Sequence, residues 1–151
     1  MDRFEEVCKE LFGRIGNHRK MVLSTAANQK VTSRMMSIII IDGKFYFQTD
    51  VTFRKCKQLK ENPQVALCMD EVQIEGICEE VGVPIENAEF CKMYETYFPG
   101  SYKCYTHLGN ERLFEVSPTF VQRWIYENGV PFVESYDFIN SKYSKIEYVG
   151  E

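Results

Sequence analysis

The sequence predicts a mainly β fold, an antiparallel, Greek-key-like barrel with two or three short flanking helices. Six or seven short segments rich in β-branched and aromatic residues are separated by tight-turn signals. Amphipathic stretches are inserted between groups of these segments, as expected of a barrel with helices laid on it. Aromatic residues make up 14% of the chain, a rich supply for a sheet core. At 151 residues the chain has the length of one domain. It can bury about 70% of its extended surface, so a core forms without disulfide or metal staples.

The elements follow in order. Asp2 can cap a first helix that places Phe4, Val7, Leu11 and Ile15 on one face, weakened by Gly13 and Gly16 and stopped at Asn17. Lys20 to Ala26 reads as a strand, with a turn at Asn28 and a second strand over Val31 to Ile41. Asp42-Gly43 is the strongest hairpin signal, because a type I′ turn needs positive φ at both positions. Lys44 to Thr49 is then the returning strand, and the apolar run to Ile41 predicts burial on both faces. Thr52 to Glu61 reads as a short helix capped by Thr52 and ended by Asn62-Pro63. Two strands, Val65 to Met69 and Val72 to Val81, are expected to pair about Asp70-Glu71. Phe90, Met93, Tyr94 and Tyr97 give Ile85 to Tyr97 a helical period. Phe98 to Asn110 reads as a loop, and Arg112 to Val116 and Val121 to Tyr126 as the last firm strands. The tail from Val133 carries no clear pattern.

Composition narrows the function. The formal net charge of −4 disfavours nucleic acid as a partner. The longest apolar run, Met35 to Ile41, is far short of the ~20 residues that cross a bilayer. The N-terminal MDRFEEVCKE lacks the apolar centre of a secretory signal, so no membrane association and a cytoplasmic location are expected. Six cysteines without a C-x-x-C pair, and two histidines, make no structural zinc pattern; the thiols are expected reduced and mostly buried. His18 and His107 fall in loops and read as solvated. No nucleophile elbow, P-loop or dinucleotide fingerprint is present.

One segment points to a ligand. The helix after Gln48-Thr49 carries Arg54 and Lys55 in its first turn, where the helix dipole favours anions. Such an end is self-repulsive unless an anion sits on it, and a phosphate would satisfy both the cations and the free N–H groups. Gln48 and Thr49 arrive at the same place, and Arg34 can approach from the hairpin partner. The alternative is an ordinary solvated helix end. Trp124, the only Trp, reads as packing or as a stacking surface.

Arg34-Met35-Met36, Phe47-Gln48-Thr49, Arg54-Lys55, Leu59, Asn62-Pro63-Gln64-Val65 and Val72-Gln73-Ile74-Glu75-Gly76 resemble the pyridoxamine 5′-phosphate oxidase-like family of FMN-binding split β-barrels, including its small general-stress and nitroimidazole-resistance members. The resemblance is densest over residues 20 to 82. It implies that Arg34, Arg54 and Lys55 hold the FMN phosphate. Gln48 and Thr49 would touch the ribityl-phosphate region or the flavin, and the backbone of Met35, Met36 and Ser37 would run along the isoalloxazine edge. It also implies a homodimer with shared flavin sites, and Trp124 reaching the flavin of the other subunit. The chain departs from the true oxidases. Residues 126–132 hold neither the Arg nor the His that contact pyridoxal phosphate there, and Ile39 stands where they carry Lys. The implied function is an FMN-dependent oxidoreductase acting on a small organic substrate, with nitro reduction as one candidate; no catalytic residue is identified. Two other readings stay open: a non-catalytic binding module for FMN, haem or a deazaflavin, and a cofactor-free structural dimer.

Overall fold

The computed structural model describes residues 1–150. Helix α1 (Arg3–Ile15) is followed by strands β1 (His18–Ala27), β2 (Lys30–Ile41) and β3 (Lys44–Asp50), then helix α2 (Arg54–Glu61). Strands β4 (Gln64–Met69) and β5 (Val72–Glu80) lead through a 3-10 turn at Pro84–Glu86 to helices α3 (Ala88–Tyr97) and α4 (Pro99–Tyr105). Strands β6 (Glu111–Glu127), β7 (Val130–Asp137) and β8 (Lys142–Glu147) complete the fold. Neighbouring strands run in the order β3-β2-β1-β4-β5-β6, and a β3–β6 pairing closes these six into an antiparallel barrel. β7 and β8 extend the sheet from β6 as an arm.

Turn chemistry sets the hairpins. Asn28-Gln29, Asp42-Gly43 and Asn128-Gly129 each place two consecutive residues at positive φ between directly paired strand ends. The triple Ile38-Ile39-Ile40 is buried on both faces, as expected. Ile38 and Ile40 join the barrel interior with Phe45, Phe47, Leu67 and Ile74. Ile39 points outward, into a second cluster with Phe90 and Tyr94 of α3 and Leu113 of β6. Asp2 caps α1 by accepting from the Glu5 N–H at 2.8 Å, and Val7, Leu11 and Ile15 lie on the main core.

Several expectations are corrected. The loop expected over Phe98 to Asn110 contains α4, entered by Pro99 at its first position, where a missing N–H costs nothing. The helix expected from Ile85 is a 3-10 turn followed by α3, which Asn87 caps by accepting from the Phe90 N–H at 2.9 Å. The two late strands are one strand, β6. Pro118 does not end it but sits at a bulge, where the register on β5 shifts between Glu75 and Gly76. The tail forms β7 and β8. Of the six free cysteines only Cys56 and Cys78 are buried; Cys68 and Cys104 are exposed.

The bulge presses β6 onto Gly76. A Cβ there would lie 2.6 Å from Cγ1 of Val116 and 2.8 Å from the Ser117 carbonyl oxygen, and the latter is backbone that cannot rotate away. Gly76→Ala is therefore expected to cost about 1–3 kcal/mol, the range for overpacking. Urea unfolding measures it; an unchanged midpoint would mean that the two strands are not this close.

Candidate functional site

The barrel is split on one side. β3 pairs with β2 only through Ile39–Ile41 and then leaves to pair with β6 from Phe45 to Asp50. The β2 edge from Arg34 to Ile38 consequently has no strand partner on its β3 side, while its other edge pairs with β1. The backbone of Met35, Met36 and Ser37 borders this opening. The Met35 side chain is exposed, whereas Met36 packs on the core and Ser37 is half-buried.

Arg34 is fixed in place by neutral groups. Its guanidinium donates to the Leu23 carbonyl oxygen at 3.2 Å, to Oγ1 of Thr25 at 2.9 Å and to Oγ1 of Thr32 at 2.5 Å. Both threonine hydroxyls lie against Oε1 of Gln58, a buried residue of α2, at 2.6 and 2.7 Å. The hairpin register places Thr25 opposite Thr32, and the Ser/Thr-rich turn sequence could have revealed this network. These bonds orient the Arg34 charge without neutralising it.

Helix α2 brings two more cations. No side chain caps its N-terminus and no acidic residue occupies its first turn. Thr52, the expected cap, is engaged elsewhere: Oδ1 of Asp50 accepts from both its N–H (2.8 Å) and its hydroxyl (2.7 Å), and the helix begins after Phe53. Burial, and then the charge of Arg54, lower the proton affinity of Arg34. Lys55 is lowered by burial, with Arg34 adding to the effect and Cys56, Glu111 and Asp50 opposing it. The charge of Arg54 is thus felt at Arg34, and that of Arg34 at Lys55. Among the described residues, none of them has a carboxylate oxygen within the 4.0 Å of a salt bridge. The donor set suits a compact dianion such as a phosphate monoester.

Two predicted site residues fall elsewhere. Gln48 and Thr49 are adjacent on a strand, so their side chains point to opposite faces. Thr49 lies on the Phe45 and Phe47 side, towards the barrel interior. Gln48 lies on the outer side and is engaged there, accepting from Oγ1 of Thr106 at 2.8 Å and donating to Oε2 of Glu111 at 3.0 Å. Trp124 lies on the arm, its indole N–H donating to the Tyr126 hydroxyl at 3.0 Å and its ring 5.2 Å from that of Tyr148. Thr49 pairs with Arg112, twelve residues earlier on the same strand, about 40 Å of extended chain. One chain alone therefore does not bring Trp124 to the cations. His18 stacks on Tyr97 at 3.8 Å and contacts Asn17 at 2.8 Å, so it is held by neighbours rather than simply solvated.

The sequence model of pyridoxamine 5′-phosphate oxidase matches residues 5–125. The chain belongs to this family. Among solved structures it is similar to general stress protein 26 from Bacillus anthracis str. Sterne (20% identity, TM-score 0.62, covering 77% of this chain and 92% of that one). It is also similar to a pyridoxamine 5′-phosphate oxidase-related, FMN binding protein from Nostoc punctiforme PCC 73102 (12% identity, TM-score 0.62, covering 99% and 98%). A third similar structure is HutZ, a haem storage protein from Vibrio cholerae (17% identity, TM-score 0.58, covering 78% and 91%). At these identities the likeness establishes the split-barrel fold. A search of curated protein sequences gives no match. No helix among the described residues is long and apolar enough to cross a membrane.

Proposed function

We propose that this member of the pyridoxamine 5′-phosphate oxidase family binds FMN and acts as an FMN-dependent oxidoreductase on a small organic substrate. The observation that carries the reading is an uncapped helix start without acidic residues that carries Arg54 and Lys55, neither of which, nor Arg34, has a carboxylate partner among the described residues. A phosphate there would accept from the two guanidinium groups, the ammonium group and the free N–H groups of α2. Thr49 adds a hydroxyl from the β3 end. The open edge of β2 at Met35–Ser37 offers backbone donors and acceptors to the rim of a flat ring. The FMN binding protein from Nostoc punctiforme supports the same ligand by its shared fold. Redox chemistry would be the flavin's own, and the chain's residues would bind, orient and tune it.

The site is best completed by a second copy. The arm exposes Trp124, Tyr126, Ile146 and Tyr148, an apolar surface that a homodimer would cover and that could bring Trp124 to the partner's flavin. Light scattering after size exclusion should give a dimer; a monomer at micromolar concentration would defeat the shared site.

The purified protein should carry the visible absorption of an oxidised flavin, release FMN on denaturation and be bleached by a nicotinamide donor. Bound FMN that resists reduction by every donor would mean a binding module instead. A Soret band with no flavin would mean a haem carrier, as in the fold neighbour HutZ.

Affinity for FMN should depend on pH at both ends. A phosphate monoester dianion takes up a proton near pH 6 and becomes a monoanion, so affinity is highest above that value and falls as pH drops through it. On the alkaline side, Lys55 in the free protein loses its proton below its ordinary value of 10.5, because burial and Arg34 favour the neutral form. Affinity should therefore decline again before that pH. Fluorescence titration of FMN between pH 5 and 10 (chosen limits, about one unit beyond the lower transition) checks both limbs; a flat profile would exclude phosphate recognition by these groups.

A further inference from the structure

A cleft of about 340 Å³ on the outer face of β3 abuts the start of α2. Thr49 and Phe53 line its end next to Arg54 and Lys55, so it continues the site proposed for FMN. Tyr94, Tyr105 and Leu108 form an apolar wall. Tyr94 packs with Ile39 of β2, which directly follows the open edge at Arg34 to Ile38. A ligand anchored by its phosphate at the helix start can lay a flat ring in this cleft, and the volume and aromatic wall suit one.

Glu111 is the buried charge of the cleft, at 6% exposure. Nε2 of Gln48 donates to its Oε2 at 3.0 Å, and the buried hydroxyl of Thr106 fixes Gln48 in turn. Its other oxygen, Oε1, has no hydrogen-bond partner among the described residues and is not sealed in protein, so it is open to the cleft. No basic side chain lines the cleft, and among the described residues none lies within 4.0 Å of this carboxylate. Burial, and then Asp50, raise its proton affinity, while Gln48 and Lys55 lower it. The other carboxylate of the lining, Asp50, is more exposed and accepts from the Thr52 N–H and hydroxyl. A bound phosphate would offset Arg34, Arg54 and Lys55 and leave the charge of Glu111 uncompensated.

We infer that Glu111 sets the reduction potential of the bound cofactor: its fixed negative charge, facing the cleft, disfavours the reduced ring. The inference rests on the FMN reading. Reduction by two electrons with uptake of one proton leaves the ring with one more negative charge than before. In an enclosed apolar cleft a fixed like charge raises the free energy of that state more than it would in water. Reduced FMN is therefore held less tightly than oxidised FMN, and the potential falls below that of free FMN.

Potentiometric titration of the FMN-loaded full-length protein against reference dyes tests it, at about pH 8, above the range in which carboxyls ordinarily titrate. The wild-type potential should lie below that of free FMN. Glu111→Gln keeps an oxygen to accept from Gln48 but carries no charge. It should raise the potential by about 30 mV or more, a tenfold gain in relative affinity for the reduced cofactor. Glu111→Asp keeps the charge and should stay close to wild type. A wild-type potential at or above that of free FMN, equal potentials in wild type and Glu111→Gln, or the same rise in Glu111→Asp would each overturn the inference and leave the phosphate cradle standing. A wild-type protein that binds no FMN would overturn the flavin reading, and this inference with it.

Discussion

Replacing Arg54 and Lys55 together by alanine is expected to weaken FMN binding by about 3–6 kcal/mol, two to four orders of magnitude in affinity. Each charge-assisted hydrogen bond to a phosphate contributes about 1.5–3 kcal/mol. The same change should leave folding stability intact. Neither residue has a carboxylate partner to lose, and both place positive charge at the positive end of the α2 dipole. Removing them also relieves the repulsion that lowers Arg34. An affinity that collapses while the unfolding midpoint holds or rises slightly is the signature of charges kept for a ligand. Equilibrium dialysis against FMN, paired with urea unfolding, reads both quantities. Unchanged affinity would remove the cradle from the account. A large loss of stability would mean that these side chains serve the fold instead.

Glu134→Ala should destabilise the protein by about 3–5 kcal/mol, because it leaves the buried Arg123 with only the half-exposed Glu71, 4.0 Å away, as a counter-charge. Glu134 on β7 lies directly opposite Arg123 on β6, and Oε1 accepts from Nε at 2.5 Å with both side chains about nine-tenths buried. Its second oxygen accepts from the hydroxyl of Tyr143 on β8, so one carboxylate ties β6, β7 and β8 together. A double replacement, Arg123→Met with Glu134→Leu, removes both charges and should recover most of the loss, because apolar side chains of similar volume avoid the desolvation cost. Chemical denaturation of the two variants distinguishes a pair that is buried from one that water reaches. A loss under about 1 kcal/mol for Glu134→Ala would indicate the latter.

Local signals made much of this fold legible. Asp42-Gly43 marked its hairpin because the turn requirement lies within two residues, and Asp2 and Asn62-Pro63 bounded helices through caps and stops that are equally local. Asn128-Gly129 carries the same hairpin signal and marks the β6–β7 turn. It goes unrecognised when the segment beyond Tyr126 is read only for missing ligand residues. Pro118 misleads in the other direction, since a proline at a bulge interrupts the pattern without ending the strand. In the site, the pattern Arg34, Arg54, Lys55 picked out three cations that have no carboxylate partner among the described residues, two of them in the first turn of α2. The pattern could not reveal that Arg34 is oriented by Thr25, Thr32 and Gln58, because those contacts depend on the register of one hairpin and the docking of α2. Gln48 was separable from Thr49 by strand alternation alone. Glu111 offered no local signal, since its burial comes from α4, a helix the sequence hides in a loop. Trp124 lies on β6 twelve residues beyond Arg112, the partner of Thr49, and a place at the site would need the proposed second copy.

The central claim is that the cations recognise a phosphate rather than a flat ring alone. Riboflavin is FMN without that group, so the two ligands differ only in what Arg34, Arg54 and Lys55 are argued to hold. Titration of each into the wild-type protein should show FMN binding at least about a hundredfold more tightly, the lower bound set by two charge-assisted contacts. Equal affinities for FMN and riboflavin would contradict the account.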